Sequence, residues 1–205
     1  MTENSKSKIG GILLAAGGSS RLGQPKQLLK FQGKTLIRRA AETLFGSQCD
    51  RIVVVLGAEI EHATAELHGL EVAICINENW QAGMSSSIIT GLERMLEIEP
   101  NLDAAVITLC DQPHVNSVDI DKLITAYNVS RPPIVAAKYG KTTGVPALFS
   151  KEIFHQLFEL TGDKGARQII QNHIEIVDTV VIEKAAGDID CLDDVNRLQS
   201  DEIVL

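Results

Sequence analysis

Short apolar runs recur along the chain, at residues 9–16 (IGGILLAA), 51–57 (RIVVVLG), 72–76 (VAICI), 104–110 (AAVITLC) and 132–138 (PPIVAAK). Each is nearly continuous in apolar residues instead of alternating, which predicts parallel strands covered on both faces. Helical stripes lie between them. Leu36, Ile37, Ala40, Ala41, Leu44 and Phe45 share one face, with Gly46 as the C-terminal stop. Ile88, Ile89, Leu92, Met95 and Leu96 form a second stripe that ends before Pro100, and Ile120, Leu123, Ile124 and Tyr127 form a third. Alternating strands and helices of this kind predict βαβ units, and so an α/β fold with a doubly wound, mostly parallel sheet between two helix layers.

The rhythm changes after Lys138. YGKTTGVPALFS reads as a loop and a short strand, and a helix then opens at Ser150 with Ile153, Phe154, Leu157 and Phe158 inward. A second helix is expected from Lys164 to Asn172, and an alternating strand (IEIVDTVVI) over 174–182. A terminal helix from Asp193 would carry Val195, Leu198 and Ile203. No repeat or linker interrupts the chain, so residues 1–205 read as one domain, with a core part over about 8–138 and an elaboration over about 139–205.

Composition narrows the partners. The chain is 44% hydrophobic and 22% charged, ordinary for a soluble globular protein. Its net charge of −8 argues against nucleic acid or an acidic membrane as partner, both of which want a basic face. The N-terminus is polar, and the apolar run behind it is too short to span a bilayer and lacks the layout of a signal peptide. Cys49, Cys75, Cys110 and Cys191 lie far apart with no CxxC pair, which suits packed, reduced thiols and a cytoplasmic protein. The five histidines show no metal-ligand spacing.

Ligands of open α/β sheets bind beyond the carboxyl ends of the strands. Two polar clusters fall there. The first is the loop after the first strand, LLAAGGSSRLGQPKQLL, with three glycines (Gly17, Gly18, Gly23), two small donors (Ser19, Ser20) and two cations (Arg21, Lys26). It is not G-x-G-x-x-G, and Gln24-Pro25 stands where a Walker loop needs Lys-[Ser/Thr]. Its donors and charges still suit a polyanion, a nucleoside triphosphate above all. Arg21 suits forked contact with the β- and γ-phosphates, and Lys26 a point charge nearer the α-phosphate. The second cluster begins at Asp111, directly after AAVITLC. Asn116 or Ser117 can cap the helix that follows, which leaves Asp111 free as a ligand for Mg²⁺.

Two further segments carry candidate chemistry. In WQAGMSSSIITG, Ser85, Ser86 and Ser87 either cap a helix or belong to a loop that closes on a base or second substrate, with Gly83 and Met84 leading into it. In TGDKGAR, Gly162 would end one helix, Asp163 would cap the next, and Arg167 would face Asp163 four residues on.

Together these residues resemble a family. LAAGGSSRLGQPKQLL is similar to the signature loop of the nucleotidyltransferases that attach a nucleotide to molybdopterin, within the wider sugar-nucleotide transferase fold. NENWQAGMSSSIITGL, LCDQPHV, TGVPALF, LTGDKGAR and DIDCLDDV follow in that family's order and at its spacings, from about residue 8 to 197. Leu14-Ala15-Ala16-Gly17 and Lys26-Gln27-Leu28-Leu29 resemble the cytidylyltransferase branch, whereas the guanylyl branch tends to carry LAGG and Asp-Lys-Gly.

The resemblance implies transfer of a cytidylyl group from CTP to molybdopterin, with Mg²⁺ as cofactor. A molybdoenzyme or its maturation chaperone would be a further partner. Leu14, Ala15, Ala16 and Gly17, with the loop through Gly23, would cradle the triphosphate and nucleoside. Arg21 and Lys26 would contact phosphate, and Met84, Ser85 and Ser86 would lie at the base and sugar. Asp111 would hold the metal with Asp190 as a second ligand. Gly144, Pro146, Gly162, Asp163 and Arg167 would line the acceptor side. Two other readings use the same residues: a relative acting on a sugar or polyol phosphate or another nucleotide, and a binding or delivery protein without turnover.

Overall fold

Strand β1 (Ile9–Ala15) shows how the continuous apolar runs are used. Successive side chains of a strand point to opposite faces, and in β1 both faces are covered. Leu13 and Ala15 join Ile37 and Leu44 on one side, whereas Ile12 and Leu14 join Ile88 and Leu92 on the other. Gly10 and Gly11 leave the room that large neighbours need. A Cβ on Gly10 would lie 2.6 Å from Met95 Sδ, and one on Gly11 would lie 3.0 Å from Leu44 Cδ2.

The structure is a computed structural model that describes residues 7–18, 23–189 and 194–195. From β1 the chain passes through a short hairpin, β2 (Lys30–Phe31) and β3 (Lys34–Thr35), into helix α1 (Leu36–Phe45). Next come β4 (Arg51–Leu56), α2 (Ile60–Glu66), β5 (Ala73–Ile76) and α3 (Met84–Ile98). β6 (Ala104–Leu109), α4 (Ser117–Ser130), β7 (Ile134–Tyr139) and β8 (Thr142–Ser150) follow. The last elements are α5 (Phe154–Phe158), α6 (Ala166–Asn172) and β9 (Val177–Val181).

Among the described residues the main sheet has seven strands in the order β5-β4-β1-β6-β8-β7-β9. All run parallel except β8, which pairs antiparallel with both β6 and β7. Helices α1, α2 and α4 cover one face, and α3, α5 and α6 cover the other. This is a three-layer α/β fold, as the apolar runs predicted. The strand order reverses at β1, because the chain moves outward through β4 and β5 and then returns to β6. The carboxyl ends of β1 and β6 therefore flank the crevice where such sheets bind ligands.

The five predicted strands appear within two residues of their expected limits. Other expectations need correction. TTGVPALFS forms a nine-residue strand instead of a loop and short strand. Pro146 fits there because the β7–β8 register shifts beside it, with Ala136 paired to Ala147 and Ala137 to Gly144, so Pro146 interrupts no continuous ladder. Helix α6 begins at Ala166, and its cap position is Gly165, so Asp163 does not cap it. Phe45 and Phe158, expected inward, are 50% and 37% exposed at the last positions of their helices. Residues 174–176 form a 3₁₀ turn ahead of a shorter β9. In the expected terminal helix, Val195 is buried, whereas Leu198 and Ile203 lie outside the described residues.

Gly91, in the middle of α3, lets that helix lie against the sheet. A Cβ there would come within 2.7 Å of Ile12 Cγ2 and 2.8 Å of Val55 Cγ2, both on fully buried residues. On an exposed helix Gly→Ala stabilises by about 1 kcal/mol. At this position overpacking of about 1–3 kcal/mol opposes it. Gly91→Ala is therefore expected to lower the urea midpoint. An unchanged or raised midpoint would remove this account of the contact.

Candidate active site

Lys26 is placed by the residue before it. Pro25 starts a 3₁₀ turn over Lys26–Leu28, closed by Leu28 N–H to the Pro25 carbonyl at 3.1 Å. Gln27, 2% exposed, donates from Nε2 to the Ala58 carbonyl at 3.3 Å, and Ala58 N–H in turn donates to the Ala16 carbonyl at 3.0 Å. The loop after β1 is thus tied to the loop after β4, and Lys26 is turned toward β6. There Lys26 Nζ meets Asp111 Oδ2 at 2.8 Å, with the two side chains only 17% and 16% exposed.

Asp111 lies one residue beyond Cys110, at the end of β6. Asn116 caps α4 through a reciprocal capping box with Asp119, so Asp111 has no capping role. Its carbonyl accepts from Ile189 N–H at 3.1 Å, which fixes the backbone. Its Oδ1 is buried and, among the described residues, has no hydrogen-bond partner. A buried carboxylate oxygen is costly to leave unpaired, and carboxylate oxygen suits a hard divalent cation. The residues present therefore fit a metal held by Asp111, with nucleotide phosphates as further ligands. Among the described residues no cluster of three His, Cys, Asp or Glu side chains could hold a metal without such help.

A cleft of about 610 Å³ opens between these ends. Its floor and walls include Leu14, Ala15, Ala16 and Gly17 from the first loop, with Lys26 and Asp111 at its head. Gly83, Met84, Ser87 and Asp163 line it as well. Gly18 and Gly23, at the two ends of the undescribed stretch, are exposed, and Gly23 takes a φ of +65°. Ser19, Ser20, Arg21 and Asp190, all named from the sequence, lie outside the described residues.

Two segments expected on different sides of the site meet each other. Gly83, with φ +109°, lies against Gly162 so closely that a Cβ would strike the Gly162 carbonyl group. Ser85 N–H and Ser85 Oγ both donate to that carbonyl, at 3.1 and 2.7 Å. Gly165 leaves room for the Met84 thioether, 2.5 Å from where its Cβ would be. The serines are not side-chain caps. Ser86 Oγ donates to the Gly83 carbonyl at 2.8 Å and Ser87 Oγ accepts from Asn77 Nδ2 at 3.0 Å. Gly144 and Pro146 sit in β8, and Arg167 is exposed on α6.

Asn77 and Trp80 lie in the motif NENWQAGMSSSIITGL, but sequence reading gave neither a role. Asn77, 3% exposed, follows β5 and ties Asn79 N–H and two serines of α3 together. Trp80 packs its ring against Gly18 and Gly57, where Cβ atoms would lie 2.6 and 2.7 Å from it. Their signal was position alone, since NENW directly follows the run VAICI.

Burial pushes the Cys110 thiol up to about 12, with Asp111 adding to the shift and Lys26 opposing it. Burial likewise raises Cys49 and Cys75 to about 11. These are inert thiols at neutral pH, with no nucleophilic role. Aryl disulfide reagent at pH 8 is expected to leave all three unmodified in the native protein, as peptide mapping would read. Modification of Cys110 before unfolding would contradict the burial. Ser85→Ala leaves the backbone bond to Gly162 and removes the side-chain one. It is expected to cost about 1 kcal/mol of stability with little change in triphosphate affinity. A large affinity loss with unchanged melting would reverse that assignment.

Known proteins supply the rest. The model of the MobA-like NTP transferase domain matches residues 11–177. Nicotine blue oxidoreductase of Paenarthrobacter nicotinovorans is 29% identical over 201 residues, spanning 93% of this chain and 96% of its own. A probable molybdenum cofactor guanylyltransferase of Bacillus cytotoxicus is 26% identical over 169 residues, spanning 82% of each. Rv0371c from Mycobacterium tuberculosis H37Rv, in a structure with manganese, superposes with a TM-score of 0.79 at 25% identity over 95% of this chain and 99% of its own. The chain belongs to the MobA-like NTP transferase family.

Proposed function

We propose that the protein transfers the cytidylyl group of CTP to the terminal phosphate of molybdenum-bound molybdopterin, releasing pyrophosphate. The observation that carries this reading is the Lys26–Asp111 pair at the head of the cleft, with one Asp111 oxygen left without a partner. Pure nucleotide binding has no need of a half-buried cation paired to a carboxylate with an open ligand position. Transfer chemistry needs both. The relatives named as molybdenum cofactor guanylyltransferases support the acceptor, and the Lys26-Gln27-Leu28-Leu29 segment, like that of the cytidylyl branch, supports the base.

In the reaction an oxygen of the acceptor phosphate attacks the α-phosphorus of CTP in line. The new P–O bond forms as the bond to the β-phosphate oxygen breaks, and the electron pair leaves with pyrophosphate. A phosphate monoester loses its second proton at about pH 6, so the attacking oxygen needs no strong base from the protein. Lys26 supplies a fixed positive charge beside the transferring group, and charge placed in advance is the main catalytic tool for such reactions. Its partner Asp111 holds that ammonium in one position through the 2.8 Å contact. Arg21 would hold the β- and γ-phosphates in the substrate complex. Mg²⁺, held by Asp111 and Asp190 with the nucleotide phosphates, would neutralise triphosphate charge. Leu14 to Gly17 and Met84 would enclose the nucleoside, with Gly162, Asp163 and Arg167 toward the pterin.

A second reading keeps the chemistry and changes the base to guanine, as the names of the guanylyltransferase relatives suggest. Pyrophosphate release with each of the four triphosphates, with and without molybdopterin, separates the two. Release with CTP and molybdopterin together is expected. Release with GTP alone among the four would shift the reading to guanylyl transfer. Tight nucleotide binding without release under any condition would make the protein a carrier. Asp111→Asn is expected to lower kcat by about 10²–10³-fold with the fold retained by circular dichroism. Normal turnover at saturating Mg²⁺ would end the metal assignment.

A further inference from the structure

Tyr139 places a phenol against the strand that carries Gly144. It is the last residue of β7, on the same carboxyl edge as Asp111 and two strands away across β8. Its ring lies over Gly144, where a Cβ would sit 2.8 Å from the Tyr139 hydroxyl oxygen and 3.7 Å from Cζ. The seat under it is held from the β6 side. Gln112, the residue after Asp111, donates from Nε2 to the Val145 carbonyl at 3.2 Å and to the Ala185 carbonyl at 3.1 Å. The segments Asp111-Gln112 and Gly144-Val145-Pro146 are therefore joined beneath the phenol.

The surroundings of the hydroxyl are charged. Burial raises its pKa most, and the Asp188 and Asp111 carboxylates add to that while the Arg167 guanidinium opposes it. The group is thus a neutral O–H donor at physiological pH. Among the described residues its hydroxyl forms no hydrogen bond. A half-buried donor with no acceptor among the described residues, on the carboxyl edge two strands from Asp111, suits an anionic oxygen brought by a ligand.

We propose that the Tyr139 hydroxyl donates a hydrogen bond to the phosphate of the acceptor, and that residue 144 is glycine because the phenol occupies its side-chain space. This deepens the transfer reading and rests on its acceptor being a phosphate monoester. Gly144 then acts through Tyr139 and touches no substrate itself.

The test uses pyrophosphate release by the full chain with CTP or GTP and a panel of phosphate monoesters: molybdopterin, glycerol 3-phosphate and a sugar phosphate. Tyr139→Phe is expected to raise the acceptor KM about tenfold, with nucleotide KM and melting temperature unchanged. Gly144→Ala is expected to raise the acceptor KM in the same way by displacing the phenol. Removing the hydroxyl first relieves that clash, so the double variant should be no worse than Tyr139→Phe alone. An unchanged acceptor KM in Tyr139→Phe overturns the inference while the transfer reading stands. Additive losses in the double variant overturn the role given to Gly144. Turnover with another ester but not with molybdopterin overturns the pterin reading and still tests Tyr139 on the ester used. No turnover with any phosphate monoester overturns both.

Discussion

The contact between Lys26 and Asp111 joins residues 85 positions apart at the ends of neighbouring parallel strands. Its geometry is set by the sheet beneath it. Leu14 pairs with Leu109 in the β1–β6 ladder, so the two loops leave the sheet side by side. A slip of one residue would turn every side chain of β1 to the other face. Both faces are packed, and no such slip is compatible with the core. The apolar runs therefore do more than bury surface. They fix where a charged pair can form, and the pair needs that fixed frame because desolvated ions gain little net stability from each other. What the pair adds to the fold is therefore small.

A second constraint is close approach at glycines. Gly18 and Gly57 admit Trp80, Gly83 admits the Gly162 backbone, and Gly165 admits Met84. Each contact joins loops that belong to different strands or helices. The result is a wall made from the start of α3 and the loop before α6, on the cleft that Lys26 and Asp111 also line. Segments that look like separate nucleotide and acceptor motifs share one wall. Met84 and Asp163 line the same cavity, and the segments that carry them are tied by the Ser85–Gly162 hydrogen bonds.

The strands were legible because two-sided burial leaves an unbroken apolar signal, and Asp111 was legible because it stands at the end of one. β8 was not, since Gly144 and Pro146 look like breakers until the register shift that accommodates them is known. Asp163 looked like a cap because it sits just before a helix, but the chain places Gly165 in that position and leaves the carboxylate at the cleft. Asn77, Trp80 and Tyr139 carry no periodic signal. Each follows or ends a strand as a single polar or aromatic residue, and its role depends on partners far away in sequence. A serine triplet before a helix likewise reads as a cap until its carbonyl partners are seen.

The reversed strand β8 links the two halves of the site. Had the chain entered this position as another parallel strand, its first residues would lie at the amino edge, far from Asp111. Because β8 follows β7 through a two-residue turn at Gly140, with φ +53°, its opening residues start at the carboxyl edge instead. Gln112 can then reach the Val145 carbonyl, and Tyr139 can rest on Gly144. Only four residues of β8, Ala147 to Ser150, pair with β6. The earlier residues are left to build the wall beside Asp111. From one change of strand direction the carboxyl edge thus gains a second surface, joined to the Asp111 loop through Gln112.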